Sequence, residues 1–467
     1  DQPTVMQWVN KLEAKIAEQV VYAKPYELRY ANDYVLPFVA QEYREVYGQQ
    51  ADAVLVSIME APRGGSAAIG IDALVERLTV LGGTSDDAET NRALTEAWED
   101  NDLDVMHREA HREAMVRRTS FGAVSRATDG RAIGTIESSE QAAVHRQQAP
   151  PYDVDAYLKV WTDEWSGKRR GLLQLADYDY NLVEGMTVES DPDGSAASSR
   201  WAVEGEPVRR AGPVPVVEFA HRPRLLKLPQ SEIEPIRTLV DLDDLISALM
   251  VFAGHFGAVP IRWATGLDIP RDPNDPAKPL LGPDGKPVMG FKARADHFWF
   301  NSNKDAQFGQ MVPASLDTYV TWATWVRSQL RANTKVASMY YAFDLKSHMT
   351  GELLKVDEAP MVRRVKAMGS QGTFNQAWRR FLTLMMQVEG KTGRVKPTWE
   401  DPQTRMEAPA VDAFGKAVAA GLGVQTAAEQ FLGWDPDLAE KAVVEAEAAL
   451  ALSDEGTIGR LLRPPAV

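Results

Sequence analysis

The segment Ser231-Glu232-Ile233-Glu234-Pro235-Ile236-Arg237-Thr238-Leu239-Val240-Asp241-Leu242-Asp243-Asp244-Leu245-Ile246-Ser247-Ala248-Leu249 decides the reading of this chain. Its apolar residues Ile236, Leu239, Val240, Leu242, Leu245, Ile246 and Leu249 recur at helical spacing. Ser231 reads as an N-cap with Glu234 at the capping-box position. The acids Glu232, Glu234, Asp241, Asp243 and Asp244 crowd the early turns, where the helix dipole favours them. The pattern predicts a long helix to about Ala258, closed by Pro260.

A Pro/Gly-rich island follows over 266–313. Ile269–Pro276 and Gly282–Val288 cannot be helical, because proline removes donors and fixes its own backbone angle. A short strand pair around Pro283-Asp284-Gly285 fits this stretch, with Phe298-Trp299-Phe300 on its flank. A second long helix is expected over Ser315–Asn333, then an irregular aromatic stretch, Met339–Leu345. A third begins near Glu352 and runs to about Val388, bent at Pro360 and Gly369.

Upstream, Trp8, Leu12, Ile16 and Val20 mark a helix. Asp72–Leu81 is a short apolar stretch closed by Gly82-Gly83, and Asn91–Phe121 reads as one long amphipathic helix. From about Gly122 to Phe219 short runs alternate with turns, and Tyr157–Trp165 with Gly171–Leu182 reads as strands of a meander. The tail, 412–450, is expected to form short Ala-rich helices with a turn at Gly433-Trp434-Asp435-Pro436. The fold class is therefore α+β, mainly helical.

The 467 residues exceed the size at which one core stops growing, so sub-domains are expected. There is no cysteine, which removes disulfides, thiolate metal sites and cysteine nucleophiles. Net charge is −15. A protein gripping DNA over its whole surface would be basic, so any DNA contact is expected to be local or sliding. Neither a secretory signal nor an apolar run long enough for a membrane span is apparent, and a soluble protein is expected.

Catalytic constellations do not emerge. Phosphate loop, dinucleotide turn, nucleophile elbow and zinc-helix motifs are all missing. His107 and His111, spaced i and i+4, would need a third ligand to hold a metal, and read as residues of a half-exposed helix. His221, His255, His297 and His348 have no neighbouring ligand pattern. The acids Glu96, Glu99, Asp100, Asp102 and Asp104 read as a solvated helix end. Asp241, Asp243 and Asp244 would form a metal triad only if dipole compensation did not already account for them. The aromatics of Met339–Phe343 read as packing or a subunit contact rather than a base-stacking platform. No catalytic residue, metal site or cofactor is expected.

The order of several pieces resembles the portal proteins (head–tail connectors) of long-tailed double-stranded DNA phages, notably those of actinobacterial hosts. The pieces are Leu28-Arg29-Tyr30, Glu76–Val80, Ala97–Asp104 running into His107–Ala114, Phe121-Gly122-Ala123, Gly212–Val217, Ser231-Glu232-Ile233 with Leu239-Val240-Asp241, Thr350–Lys355 and Phe374–Trp378. Two departures are His348-Met349-Thr350-Gly351, where the family carries Ser-Gly or Asn-Pro-Ser, and Pro360 inside the third helix.

The resemblance implies a portal fold: a wing over 1–230, β-rich from about 122; stem helices at 231–260 and 314–333; a clip at 261–313; a tunnel loop at 334–351; a wing spine helix at 352–400; and a crown at 401–467. It implies a homo-oligomeric ring of about twelve subunits at a capsid vertex of the virion, assembled in the host cytoplasm. Double-stranded DNA would pass through it without sequence readout. Its implied partners are the terminase large subunit, the head–tail adaptor, and the major capsid or scaffold protein, with no membrane involved. DNA-facing candidates in the tunnel loop are Lys335, Lys346 and His348. Basic candidates in the clip are Arg262, Arg271, Lys278, Lys286, Lys292 and Arg294. Two alternatives stand beside it: a capsid-associated metal-dependent nuclease or other enzyme using the acidic clusters, and a smaller head–tail adaptor, which the length disfavours.

Overall fold

The computed structural model describes residues 3–34, 36, 63–147, 153–190, 196–210, 212–258, 262–266, 271–273, 275–281, 305, 307–310, 315–341, 351–403, 407–432, 434 and 439–445. Helix and sheet are mixed throughout.

Helix α1, Val5–Tyr30, starts with a reciprocal cap: the Thr4 hydroxyl accepts from Gln7 N–H, and the Gln7 amide accepts from Thr4 N–H. Met6, Val9, Leu12 and Ile16 form its buried stripe. That stripe packs on a six-stranded antiparallel sheet built from β4 (Ala142–Arg146), β5 (Val154–Thr162), β6 (Arg169–Leu175), β7 (Tyr178–Ser190), β8 (Ala196–Val203) and the short β9 (Val208–Arg209). Strands β4 to β8 run side by side in chain order, which is the meander expected from the turn spacing. Trp201, fully buried between helix and sheet, donates its Nε1–H to Glu13 Oε2 at 3.0 Å.

The main core gathers around a helical cluster. Helix α2 (Ser66–Val75) is followed by β1 (Val80–Ser85), which contains the Gly82-Gly83 pair rather than ending before it. The stretch expected as one helix over 91–121 is two, α3 (Ala88–Asp100) and α4 (Leu103–Arg117). The chain breaks between them at Asp102, whose φ is +51°. Asn101 holds the break open by donating to Ala97 O and Ala132 O and accepting from Gly134 N–H. Arg118, φ +70°, ends α4 and delivers the chain into β2 (Thr119–Arg126). This strand sits between β3 (Ala132–Ser138) and β10 (Val216–Ala220).

A 3-10 turn, Glu234–Ile236, leads into helix α5 (Arg237–Ala258). Ser231 is not its cap: the turn's N-cap is Ile233, without a side-chain bond. The Ser231 hydroxyl instead donates to Met115 O and accepts from Ile233 N–H. Further on, β11 (Arg262–Thr265) pairs with β14 (Gln307–Gln310), and β12 (Arg271–Asp272) with β13 (Asp275–Pro279). Helix α6 (Leu316–Thr334) returns against α5, and a single turn, α7 (Ser338–Tyr341), follows. The third expected helix is also divided, into α8 (Gly351–Met368) and α9 (Thr373–Val388), with Gly369 in the break and Pro360 accommodated within α8.

Helix α9 is the centre of the main core. Phe374, Trp378, Phe381, Leu382, Met385 and Met386 are all buried on one side of it. Phe381 rests on β2 and β3 where both carry glycine: a Cβ at Gly122 would lie 2.7 Å, and one at Gly134 2.8 Å, from its ring. β15 (Val395–Trp399) then pairs with β1, bringing the ends of the core together across the chain. Towards the C-terminus come α10 (Glu407–Ala419), the short α11 (Val424–Ala427) and a π turn at Ala428–Leu432, and residues 439–445 are again helical. They are short, as the Ala-rich tail implies.

Candidate functional site

The two long helices form an antiparallel pair. Asp243, early in α5, accepts from Arg327 Nε, late in α6, at 3.1 Å, while the far ends are joined by the β11–β14 ribbon. Val240 and Ile246 of α5, with Ala323, Val326 and Leu330 of α6, are buried in the main core. Helix α6 leaves Leu316, Val320, Trp322 and Trp325 exposed, and α5 leaves Val251. An exposed tryptophan pair at i and i+3 lies on one helix face. The exposed half of two such rings offers a large apolar area to another surface.

The three aspartates of α5 have structural partners. Asp241 receives a two-pronged bond from Arg29, Nε to Oδ1 at 2.7 Å and Nη2 to Oδ2 at 2.9 Å. Asp244 accepts from the Tyr34 hydroxyl at 2.6 Å and from Gly64 N–H at 2.7 Å. Burial pushes the Asp244 carboxyl up, opposed by these two bonds. The acids thus tie α5 to α1, to the residues before α2 and to α6, rather than compensating a helix dipole. Among the described residues no group of three or more His, Asp or Glu is arranged to hold a metal ion.

At the root of the helix pair lies a second charged cluster, centred on Glu232, which is 1% exposed. Its carboxylate accepts from His221 Nε2 at 3.0 Å, Arg222 Nη2 at 3.2 Å and Arg364 Nη2 at 2.5 Å. Burial raises its pKa, but the His221 bond and the Arg364 and Arg222 charges outweigh that and hold it at about 2. Burial lowers the pKa of His221, opposed by the Glu232 bond and charge. Arg364 also donates to Asn333 O at 3.3 Å and to Thr334 O, capping the end of α6. Glu232 N–H donates to Met115 O at 2.7 Å. One residue therefore joins the end of β10 and helix α8 through its carboxylate, the end of α4 through its N–H and, by way of Arg364, the end of α6.

His107 and His111 are buried, not half-exposed as their polar neighbours implied. His111 lies between the rings of Phe374 and Trp399 and accepts the Trp378 Nε1–H at 2.9 Å. Burial drives its pKa to about 3. The acids Glu96, Glu99, Asp100, Asp102 and Asp104 are exposed, as a solvated helix end should be.

The basic candidates are dispersed. Lys335 is exposed and ends α6 in the left-handed conformation, φ +59°, with its N–H donating to Arg331 O. Arg262 lies on β11. Arg271 is exposed on β12, and Lys278 on β13 pairs with Asp275 at 3.1 Å. Lys286, Lys292, Arg294, Lys346 and His348 lie outside the described residues. Of Met339–Phe343, Tyr341 is buried and donates to Ser66 O at 3.0 Å, so this aromatic packs rather than stacks on a ligand.

One feature was missed from the sequence. A cleft of ≈ 400 Å³ lies among β10, the edge of β4 and β5, and helix α9, ringed by Arg146, Arg379, Arg380 and Arg394. Its residues come from three distant segments, so no local pattern announces it.

No family model and no curated protein matches the chain. Among solved structures it is similar to a chain in the neck of an empty gene transfer agent particle computed with C6 symmetry: 13% identity, TM-score 0.46, covering 84% of this chain and 95% of that one. It is similar at 12% identity and TM-score 0.44 to a chain of the virion of a native gene transfer agent particle, over 84% and 95%. A chain in the neck of the native particle, computed with C12 symmetry, gives 11% identity and TM-score 0.42, over 81% and 92%. Likenesses of this size do not establish a shared fold or function.

Proposed function

We propose that this chain is a subunit of a portal: a ring at one capsid vertex through which double-stranded DNA is packaged and ejected. The observation that carries this reading is the antiparallel pair α5–α6, rooted in the core by buried charge clusters and presenting the exposed pair Trp322 and Trp325 on one helix face. A helix pair with one face in its own core and an apolar face left over is suited to packing against a copy of itself. A ring requires such a heterologous contact, one face of each subunit meeting a different face of the next.

In this reading α5 and α6 are the stem, the segment between them is the clip that meets the terminase large subunit and later the head–tail adaptor, and residues 334–351 form the tunnel loop. The parts up to residue 230 and the spine 352–400 make the wing that meets the capsid or scaffold protein, and 401–467 the crown. Lys335, and the clip cations Arg262, Arg271 and Lys278, are its DNA-side candidates, with Lys286, Lys292, Arg294, Lys346 and His348 beside them. The acidic balance suits a conduit, since contacts that hold phosphates tightly would brake a sliding duplex. The test is direct: purified protein should give assemblies of several hundred kilodaltons by mass photometry, and class-averaged electron micrographs with a central hole. A purely monomeric protein at micromolar concentration would overturn the reading.

A further inference from the structure

We propose that the cleft between α9 and β10 is a binding site for an acidic peptide of a partner protein, one that places an apolar side chain between carboxylates. The inference does not depend on the portal reading. Its first support is charge. In a chain with 66 acids and 51 basic residues, arginines ordinarily find an acid, and Arg146 does, in Glu218 at 2.9 Å. Arg379 and Arg380 on α9 and Arg394 before β15 are exposed at the rim of the same cleft with no acid partner among the described residues. Among the described residues Asp153 is the single acid in the lining, so the rim is cationic on an otherwise anionic molecule.

The second support is the floor. Val154, Val214, Val216, Val395 and Leu384 line the cleft, with Thr383 and Gln387 as neutral hydrogen-bonding groups beside them. The volume, ≈ 400 Å³, falls within the range that encloses a small ligand or one large side chain and its flanking backbone. Guanidinium groups around an apolar floor match carboxylates through two-pronged bonds while an aliphatic or aromatic side chain fills the centre. Nucleic acid fits less well. Among the described residues no aromatic ring lines the cleft to stack a base, and a duplex backbone presents phosphates without an apolar group to seat on the valines.

The two kinds of contact have different signatures. The rim should make binding salt-sensitive, and the floor should make it depend on the central side chain rather than on charge alone. Full-length protein is titrated by fluorescence anisotropy with labelled hexapeptides in which Leu, Val, Ile or Phe stands between pairs of Asp or Glu. Hexaglutamate and a short DNA duplex serve as comparison probes. Some apolar-centred peptides should bind with dissociation constants of about 10–100 µM at physiological ionic strength, and hexaglutamate at least about tenfold more weakly. The double variant Arg379→Glu/Arg394→Glu should weaken binding by about tenfold or more. Its thermal melting should be unchanged, because both residues are exposed. Leu384→Asn, in the half-buried floor, should weaken the apolar-centred peptides while leaving hexaglutamate unaffected. The proposal is overturned if no peptide of the set binds in the high-micromolar range. Equal binding of hexaglutamate or of the duplex would overturn it too, as would full binding by the double arginine variant.

Discussion

Glu232 shows how much one side chain carries here. Its carboxylate neutralises Arg364, which also holds the last carbonyls of α6, so removing the charge strands a buried guanidinium. Glu232→Gln should therefore cost about 3–5 kcal/mol in denaturant unfolding. Held at about 2 against an ordinary 4.5, Glu232 contributes fully above pH 4.5 and less as pH falls towards 2. His111 acts in the same direction from a higher pH. Its folded value is about 3 against an ordinary 6.5, so below pH 6.5 the unfolded chain takes up a proton that the folded chain refuses. Between pH 7 and 4 that linkage removes about 3 kcal/mol. His111→Gln keeps an acceptor for Trp378 without a titrating ring. Its stability curve over this range should be flatter than the parent's by about that amount, and an unchanged slope would place the proton uptake elsewhere. Neither role was legible in the sequence. Arg108, Glu109, Arg112 and Glu113 surround the two histidines in the chain and suggest solvent, whereas the rings that bury His111 come from Phe374 and Trp399.

At the scale of elements, α5 and α6 were readable because each carries an uninterrupted apolar period, and the meander because its turns are regularly spaced. What escaped was where long periods break. Nothing in Asn101-Asp102 outweighs the helical pattern around it; the break is held by bonds to Ala132 and Gly134, distant in sequence. Likewise Ser231 looks like a cap, but Met115 O claims its hydroxyl. The exposed face of α6 gives a prediction. Trp322 and Trp325 are 48% and 51% exposed, so Trp322→Ser/Trp325→Ser should leave the subunit folded, at a cost of about 1.5–3 kcal/mol for the covered half of the two rings. If the face joins neighbouring subunits, mass photometry should show the large assembly giving way to monomers. A double variant that assembles like the parent would remove α6 from the subunit contact while leaving the ring itself standing.

For the whole molecule the acidic balance sets the decisive expectation. A protein that holds B-form DNA through many phosphates loses affinity steeply with salt, the slope of log K against log salt being roughly the number of phosphates it neutralises. A subunit of net charge −15 has few cations to spare, and many are already paired: Lys278 with Asp275, Arg327 with Asp243, Arg29 with Asp241. Lys335 is exposed at the end of α6, where a ring would repeat it once per subunit. A duplex threading such a ring should meet a sparse circle of cations on an acidic wall. Binding of a linear duplex to the assembled protein should accordingly be weak, insensitive to sequence, and shallow in salt, with a slope of magnitude about 2 or less. Lys335→Glu should weaken it further without disturbing assembly, since the side chain is exposed and the αL cap is set by the backbone. A steep slope, or a marked preference for one sequence, would mean that the protein grips or reads DNA, and the conduit reading would have to be abandoned.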